Sequence, residues 1–505
     1  MNPSESENHL LPATVKYIAE STNLADMDMF LVGGVLRDSI LGTTNPDIDI
    51  AVIGSSLDMA KKIAQTTNSK WFPLDMERDI YRVVSGNYKS NIQIDIASVQ
   101  NNISIDVSRR DFTINTLALN LKNVDTSKPT PEFKLSDIID NHGGVKDLQS
   151  GFLKMTNCKV FREDPLRILR AVRLKAQYNF EIDKDTETQI KKNSALLTKV
   201  SQERIREEFL KLLSMNNTVC NLKKMDELKI LTTIITELES ARKTTQNSKH
   251  YWNVLEHMIQ TAGQIEYIVT GKQNNLGSFP KFLDNHIRIN KFQKDYFNEI
   301  YSDGCSRLTL LKLSSLLHDI GKPDTKSVEP DGKVRFLNHA KSGGEIAHSI
   351  LKRLKFSNSG IELVRNQIEN HLRPSQISNP GQEPTPKAIR KYYQDTSNSS
   401  LDILYLNMAD YIATKGPNLG RREWSDHSNQ IDLIMDNEYS YKRAIKRDRL
   451  LSGHDIMVGL RLEPGPLIGI LIEKVEEAYL DGVVENKKEA LALIRHLLDS
   501  GEYIA

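Results

Sequence analysis

The chain has 505 residues, 39% of them hydrophobic and 26% charged, which is enough for three or four domains at roughly 100–200 residues each. Lys plus Arg (67) nearly cancels Asp plus Glu (66), so any nucleic-acid surface has to be a local patch rather than a whole-molecule field. Three scattered cysteines exclude a disulfide framework or a cysteine zinc site, and no apolar run approaches the ~18 residues of a membrane span.

In chain order, the polar N-terminus MNPSESENHL lacks the charged-then-apolar layout of a signal peptide, so a soluble cytoplasmic protein is expected. The runs MDMFLVGG, DIDIAVIG, IYRVVSGNY and NIQIDIAS are short, β-branched and bounded by Gly, Asn or Ser, and read as strands. SLDMAKKIAQTT between them reads as a helix, which predicts a mixed α/β domain. Within it, Asp47 and Asp49 stand at i, i+2 and project from one strand face, while Ile48, Ile50 and Val52 turn to the buried side. Two adjacent carboxylates suit Mg²⁺, and Asp95 on a second strand is a candidate third. Gly33 and Gly34 let backbone N–H groups approach a phosphate, and Arg37 offers it a fork of donors. That order predicts two-metal nucleotidyl transfer.

From Phe161 onward helical spacing dominates, in EDPLRILRAVRLKAQ, SQERIREEFLKLL and TLLKLSSLLHDI. Stretches near Thr244–Lys249, Gly271–Ser278, Ser375–Pro386 and Asp395–Ser400 read as linkers or surface loops. LLKLSSLLHDIGKPDTK puts His318 and Asp319 at the end of an amphipathic helix. His257 lies upstream and Asp410 downstream, with His339 and His371 between. Imidazole and carboxylate together suit a divalent ion that activates water. YKRAIKRDRLLSGHDIM supplies Lys442, Arg443, Lys446, Arg447 and Arg449, and AIRKYY supplies Arg390 and Lys391 followed by two tyrosines. Both are candidate RNA-phosphate surfaces.

GGVLRD…DIDIAV followed by RRDFTINTLA, EDPLRILRAVRL and SQERIREEFLKLL resembles the class II tRNA nucleotidyltransferase and bacterial poly(A) polymerase family, and the His-Asp segment resembles HD phosphohydrolases. The resemblance implies an α/β nucleotidyltransferase head with a mixed sheet, followed by all-α neck, HD and tail domains. The boundaries expected are 1–155 for the head, 156–240 for the neck, 241–415 for the HD domain and 416–505 for the tail. It implies Mg²⁺-dependent addition of CMP and AMP, from CTP and ATP, to the tRNA 3′ end. Asp47 and Asp49 would hold the metals, and Gly33, Gly34, Arg37 and Arg110 the nucleotide's phosphates and sugar. Asp164 and Arg167, read as neighbours on one helix, would select the base, with Arg170 and Arg173 as further nucleotide contacts. His257, His318, Asp319 and Asp410 would hold a second divalent metal.

Cytosine and adenine share an amino donor beside a ring-nitrogen acceptor, which a carboxylate and a guanidinium complement. Uracil and guanine would set carbonyl against carboxylate and N–H against guanidinium. Only IASVQNNISIDVS separates Asp95 from Arg109, which raises CC addition as an alternative to the full CCA triplet. From another class, an HD phosphohydrolase with a degenerate head is the rival, and the intact Asp47/Asp49 pair argues against it. No Arg-rich stretch between the head strands favours poly(A) synthesis.

Overall fold

The computed structural model describes residues 8–21, 28–43, 47–84, 93–99, 102–247, 250–271, 279–280, 282–283, 291–377, 382–445, 450–480 and 483–500. It divides into two compact units, Met1–Thr236 and Glu237–Ala505.

The first unit is built on strands β1 (Met29–Val32), β2 (Asp47–Val52), β3 (Lys70–Asp75), β4 (Ile80–Val84), β5 (Gln93–Ser98), β6 (Ala118–Asn120) and β7 (Ile138–Ile139). They form one seven-stranded sheet in the order β3-β4-β5-β2-β1-β6-β7. β2 and β5 run parallel and every other pairing is antiparallel, so the sheet is mixed as expected. Helix α1 (Gly34–Ile40) follows β1, and α2 (Ser56–Thr66), N-capped by Ser55, follows β2. Along β2 the period-2 pattern holds: Ile48 and Ile50 are 1% exposed, while Asp47 and Asp49 face outward. Strand β3 went unread because its KWFPLD run is exposed along most of its length and contains Pro73, which an edge strand tolerates.

Among the further helices of this unit, two amphipathic ones border the cleft, α3 (Arg167–Tyr178) and α4 (Gln202–Leu213). α3 buries Ile168, Leu169, Ala171, Val172 and Leu174, and α4 buries Ile205, Phe209, Leu210, Leu212 and Leu213. One expectation is corrected here. Asp164 and Arg167 do not share a helix, because α3 begins at Arg167 and Asp164 is extended at φ −143°, ψ 99°. Pro165 explains this, since its ring disfavours helical backbone at the residue before it.

The second unit is mainly helical: α5 (Val254–Thr270), α6 (Arg307–Leu317), α7 (His339–Arg353), α8 (Asn358–Asn370) and α9 (Ser400–Lys415) carry its centre. α5 and α9 are buried on most of their faces, so polar residues on them sit inside a core. The expectation of an all-α second half is modified by two short hairpins, Ile300–Ser302 with Cys305–Ser306, and β8 (Lys326–Val328) with β9 (Val334–Phe336). Asp395–Ser400, read as a loop, is instead the end of one helix and a 3-10 turn leading into α9. Helices Gly453–Leu460, Pro466–Leu480 and Lys487–Asp499 pack round Leu451, Ile456, Leu471, Val475 and Ile494. No helix among the described residues is long and apolar enough to cross a membrane.

Candidate active site and metal centre

In the first unit a cleft of about 830 Å³ gathers Gly34, Arg37, Asp47, Asp49, Asp95 and Arg110 with Asp164, Arg167, Arg170 and Arg173. Asp49 and Asp95 are register partners across β2 and β5, so both side chains leave the same sheet face. Asp95 is gripped by both arms of Arg82 at 2.7 Å. Arg110 lies 3.8 Å from Asp49. Partial desolvation by the cleft walls pushes the Asp49 carboxyl up and the neighbouring Asp95 and Asp47 add to this, against Arg110, although its side chain stays 46% exposed. Gly33 adopts φ +71°, and a Cβ there would strike the Arg110 guanidinium and lie 3.5 Å from Asp49 Oδ2. Glycine is therefore required both for the turn and for the close approach.

Arg37 is 5% exposed, and its guanidinium is already engaged. Nε and Nη2 donate to Asp38 at 2.9 and 3.0 Å, and Nη1 donates to Asn115 Oδ1 at 2.5 Å. It lines the cleft wall as a braced side chain rather than a loose donor. Asp164 accepts from Leu166 N at 3.2 Å and from Arg204 Nη2 at 2.8 Å. Arg167 donates to the carbonyls of Val160 and Arg109 at 3.3 and 3.0 Å. The two point into one cleft without pairing to each other. Arg173 pairs with Glu208 at 2.7 Å.

The residue that sequence reasoning missed is Asp111. It is buried, 2.6 Å from Arg170 Nε, and accepts from Phe112 N and Asn115 Nδ2. Burial alone would raise its carboxyl, but Arg170, Asn115 and Phe112 hold it below the usual carboxylate value. RRDFTIN was singled out for its arginine, and a buried acid beside it carries no separate sequence signal.

In the second unit, six residues cluster beside a cavity that four of them, Asp319, His339, His371 and Asp410, line. His257 comes from α5, His318 and Asp319 from the end of α6, His339 from the start of α7, His371 from the end of α8 and Asp410 from α9. His257 Nε2 lies 3.0 Å from Asp410 Oδ1, 3.3 Å from Asp319 Oδ2 and 3.2 Å from His318 Nε2. His339 and His371 approach Asp319 Oδ1 at 3.3 and 3.9 Å. His318, His339 and His371 each donate Nδ1–H to the carbonyl three residues earlier, at 2.7–2.8 Å. Each therefore turns its Nε2 inward, a lone pair whenever the ring is neutral.

The buried Nε2 atoms of His339 and His371 make no hydrogen bond within the described residues. Lone pairs facing a carboxylate at this range repel unless a cation or a proton lies between, so the donor set fits a divalent ion. Burial opposes charge on His318, yet Asp319 and Asp410 raise it to about 10, while burial and His318 push His371 down to about 3. The adjoining cavity, about 960 Å³, adds His250, Lys322, Arg335 and Phe336, and Lys322 Nζ is 2.6 Å from Asp319 Oδ2. Gly321 permits this packing, because a Cβ there would collide with the backbone of His339 and Gly343.

The two candidate RNA surfaces fare differently. Tyr392 and Tyr393 are core residues, 1% and 4% exposed, whose hydroxyls donate to the carbonyls of Ser400 and Ile434, so neither is available for stacking on a base. The side chains of Lys442, Arg443, Lys446, Arg447 and Arg449 lie outside the described residues.

Comparison with known proteins gives three matching segments: the poly A polymerase head domain over residues 29–154, the probable RNA and SrmB-binding site of polymerase A over 179–242, and the HD domain over 295–415. The chain is 26% identical over 474 residues to an A-adding tRNA nucleotidyltransferase of Deinococcus radiodurans, covering 92% of this chain and 94% of the relative. It is 25% identical over 473 residues to a CC-adding tRNA nucleotidyltransferase of Thermus thermophilus, covering 92% and 93%. In fold it is similar to the Thermotoga maritima CCA-adding enzyme complexed with tRNA, with a TM-score of 0.57 at 20% identity over 96% of this chain and 94% of that one.

Proposed function

Because the chain belongs to the class II tRNA nucleotidyltransferase and poly(A) polymerase family and carries an HD domain, we propose that it adds CMP and then AMP to the tRNA 3′ end without a nucleic-acid template. The observation that carries this reading is one cleft holding both the Asp47, Asp49 and Asp95 carboxylates and the Asp164 and Arg167 pair. A cytoplasmic location belongs to the same reading. So do a catalytic head at 1–155, a neck at 156–240, an HD domain at 241–415 and a tRNA-binding tail at 416–505.

Asp47 and Asp49 would hold Mg²⁺, which when bound supplies charge for the triphosphate and a lowered pKa for the attacking hydroxyl. The residues of the chain do the rest. Arg110, beside Asp49, takes the nucleotide's sugar or phosphates, aided by the Gly34 N–H at the Gly33–Gly34 turn that starts α1, while the Gly33 N–H is given to the Leu117 carbonyl. Arg37 stiffens that turn through Asp38 and Asn115. Asp164 keeps lone pairs to spare after Arg204 and Leu166, so it accepts the exocyclic amine of cytosine or adenine. Arg167 keeps donors to spare for the ring nitrogen. Each such pair is worth ~1–3 kcal/mol of discrimination. In the second unit His257, His318, Asp319 and Asp410 would hold a divalent ion that supplies an activated water for phosphoester hydrolysis.

A second reading, addition of CC alone, is favoured by the short connection from Asp95 to Arg109 and by the near-full-length relative named for CC addition. The test is incubation with a tRNA lacking its 3′ end, with CTP, ATP or both, and product sizing on a gel. Extension by three nucleotides supports CCA addition and a stop at two supports CC addition. No extension of that tRNA or of one already ending in CC, or extension that survives Asp47→Ala, overturns the nucleotidyl-transfer reading.

A further inference from the structure

A ring of polar contacts, buried at Arg37, Asp38, Asp111 and Asn115 and partly exposed at Arg170 and Tyr178, ties the selecting helix to the catalytic head. It starts at Tyr178, the last residue of α3, whose hydroxyl donates to Asp38 Oδ1 at 2.6 Å. Asp38 accepts both Nε and Nη2 of Arg37, and Arg37 Nη1 donates to Asn115 Oδ1. Asn115 Nδ2 donates to Asp111 Oδ1 at 2.8 Å, and Asp111 Oδ2 meets Arg170 Nε at 2.6 Å. Arg170 returns the ring to α3, a little over two turns before Tyr178. Arg37, Asp38, Asp111 and Asn115 are 5%, 4%, 6% and 3% exposed.

The members belong to three parts of the cleft. Arg37 and Asp38 lie on α1, directly after the Gly33–Gly34 turn. Asp111 and Asn115 follow Arg110. Arg170 and Tyr178 sit on α3, just beyond Arg167. The ring's two guanidinium and two carboxylate charges cancel, so it needs no outside counterion. A buried ionic network of this kind is seldom more stable than apolar packing, and its best-attested use is to fix register. Fastening α3 at both Arg170 and Tyr178 removes its freedom to pivot over the sheet.

Resting on the assignment of Asp164 and Arg167 as the base-reading pair, we propose that Tyr178 and Asn115 are positioning residues that hold that pair in register with the carboxylates of β2. Hydrogen-bond selection is steep in distance and angle, so slack in α3 costs base preference before it costs folding.

The experiment uses the full-length protein and a tRNA lacking its 3′ end, with kcat/KM measured for CTP and for UTP. Tyr178→Phe keeps the ring that stacks 4.7 Å from Arg37 and removes only the hydroxyl. Asn115→Ala breaks the ring independently, and melting temperatures identify a variant that has simply unfolded. Each variant is expected to lower the CTP-over-UTP preference about tenfold, the scale of one hydrogen bond to a charged group. The change is expected in kcat, with the KM for tRNA kept. Placed in an Asp164→Ala background, Tyr178→Phe is expected to cause no further loss, because it acts through Asp164. If Asp164→Ala loses the preference while the folded ring variants keep it, or if the two effects add in full, the positioning role is overturned and the base reading stands. If Asp164→Ala keeps the full preference, base reading and positioning both fall.

Discussion

In the head cleft the acids stand partly in water, with the side chains of Asp49 and Asp95 46% and 24% exposed. In the HD centre His257 and His318 are fully buried, and Asp319 keeps 2% of its side-chain exposure. The first centre meets its carboxylates with arginines, Arg82, Arg110 and Arg170, all reaching in from neighbouring elements. The second meets them with imidazoles, three of which are locked by the carbonyl three residues earlier. A charge that keeps its water is cheap to hold and easy to re-partner when a triphosphate arrives, whereas a charge sealed in a core has to be neutralised on the spot. The comparison therefore teaches that catalysis and stability should separate in the head and coincide in the HD centre.

The sharpest way to break it is a pair of substitutions. Asp49→Ala is expected to cut tRNA extension by roughly a thousandfold, the scale of several kcal/mol of lost charge stabilisation, while shifting stability by under about 1 kcal/mol. Calorimetry beside the extension assay reads both quantities. Asp319→Ala is expected to do the reverse: extension is spared, and the second unit loses about 3–5 kcal/mol because Lys322 and the clustered histidines lose their counter-charge. Chelation sharpens this result, since removing divalent ions should lower the melting temperature of the second unit in the unsubstituted protein and leave His318→Ala unmoved.

Gly33→Ala should fall between the two behaviours. Its φ of +71° costs an alanine about 1–3 kcal/mol, and the displaced Arg110 lowers extension as well. Unchanged extension would show that the close contact between Gly33 and Arg110 is incidental.

The smallest effect concerns pH. Asp111 is held below its ordinary value of 3.8 in the folded chain, so the unfolded chain binds more protons near that pH. Its contribution to stability is present above that value and fades as pH falls through and below it. Melting curves of the unsubstituted protein and Asp111→Asn should converge from pH 5 towards pH 3. Curves that stay parallel would place the stabilisation elsewhere than in the carboxylate.

Much of this was legible in the residues themselves. The strands at Met29–Val32, Asp47–Val52, Ile80–Val84 and Gln93–Ser98 announce themselves by β-branched runs between turn residues. Helices α3, α4 and α6 announce themselves by apolar spacing, and the i, i+2 aspartates by the strand they sit on. Other features were not local. Tyr392 and Tyr393 follow two cations and read as surface, but the helix carrying them turns both rings into the core. Asp164 and Arg167 read as one helical pair until Pro165 breaks the backbone between them.

Local chemistry settled which groups this chain owns and which face of a strand or helix each one takes, because period and backbone preference are properties of a few consecutive residues. Tertiary structure alone decided who meets whom. Asp111 reaches Arg170, Asp38 reaches Tyr178, and His257 reaches Asp410 over separations of about 60 to 150 residues. Those meetings follow from how packed elements exclude water and share one interior. No window of sequence contains that information, because it resides in the whole set of burial choices made together.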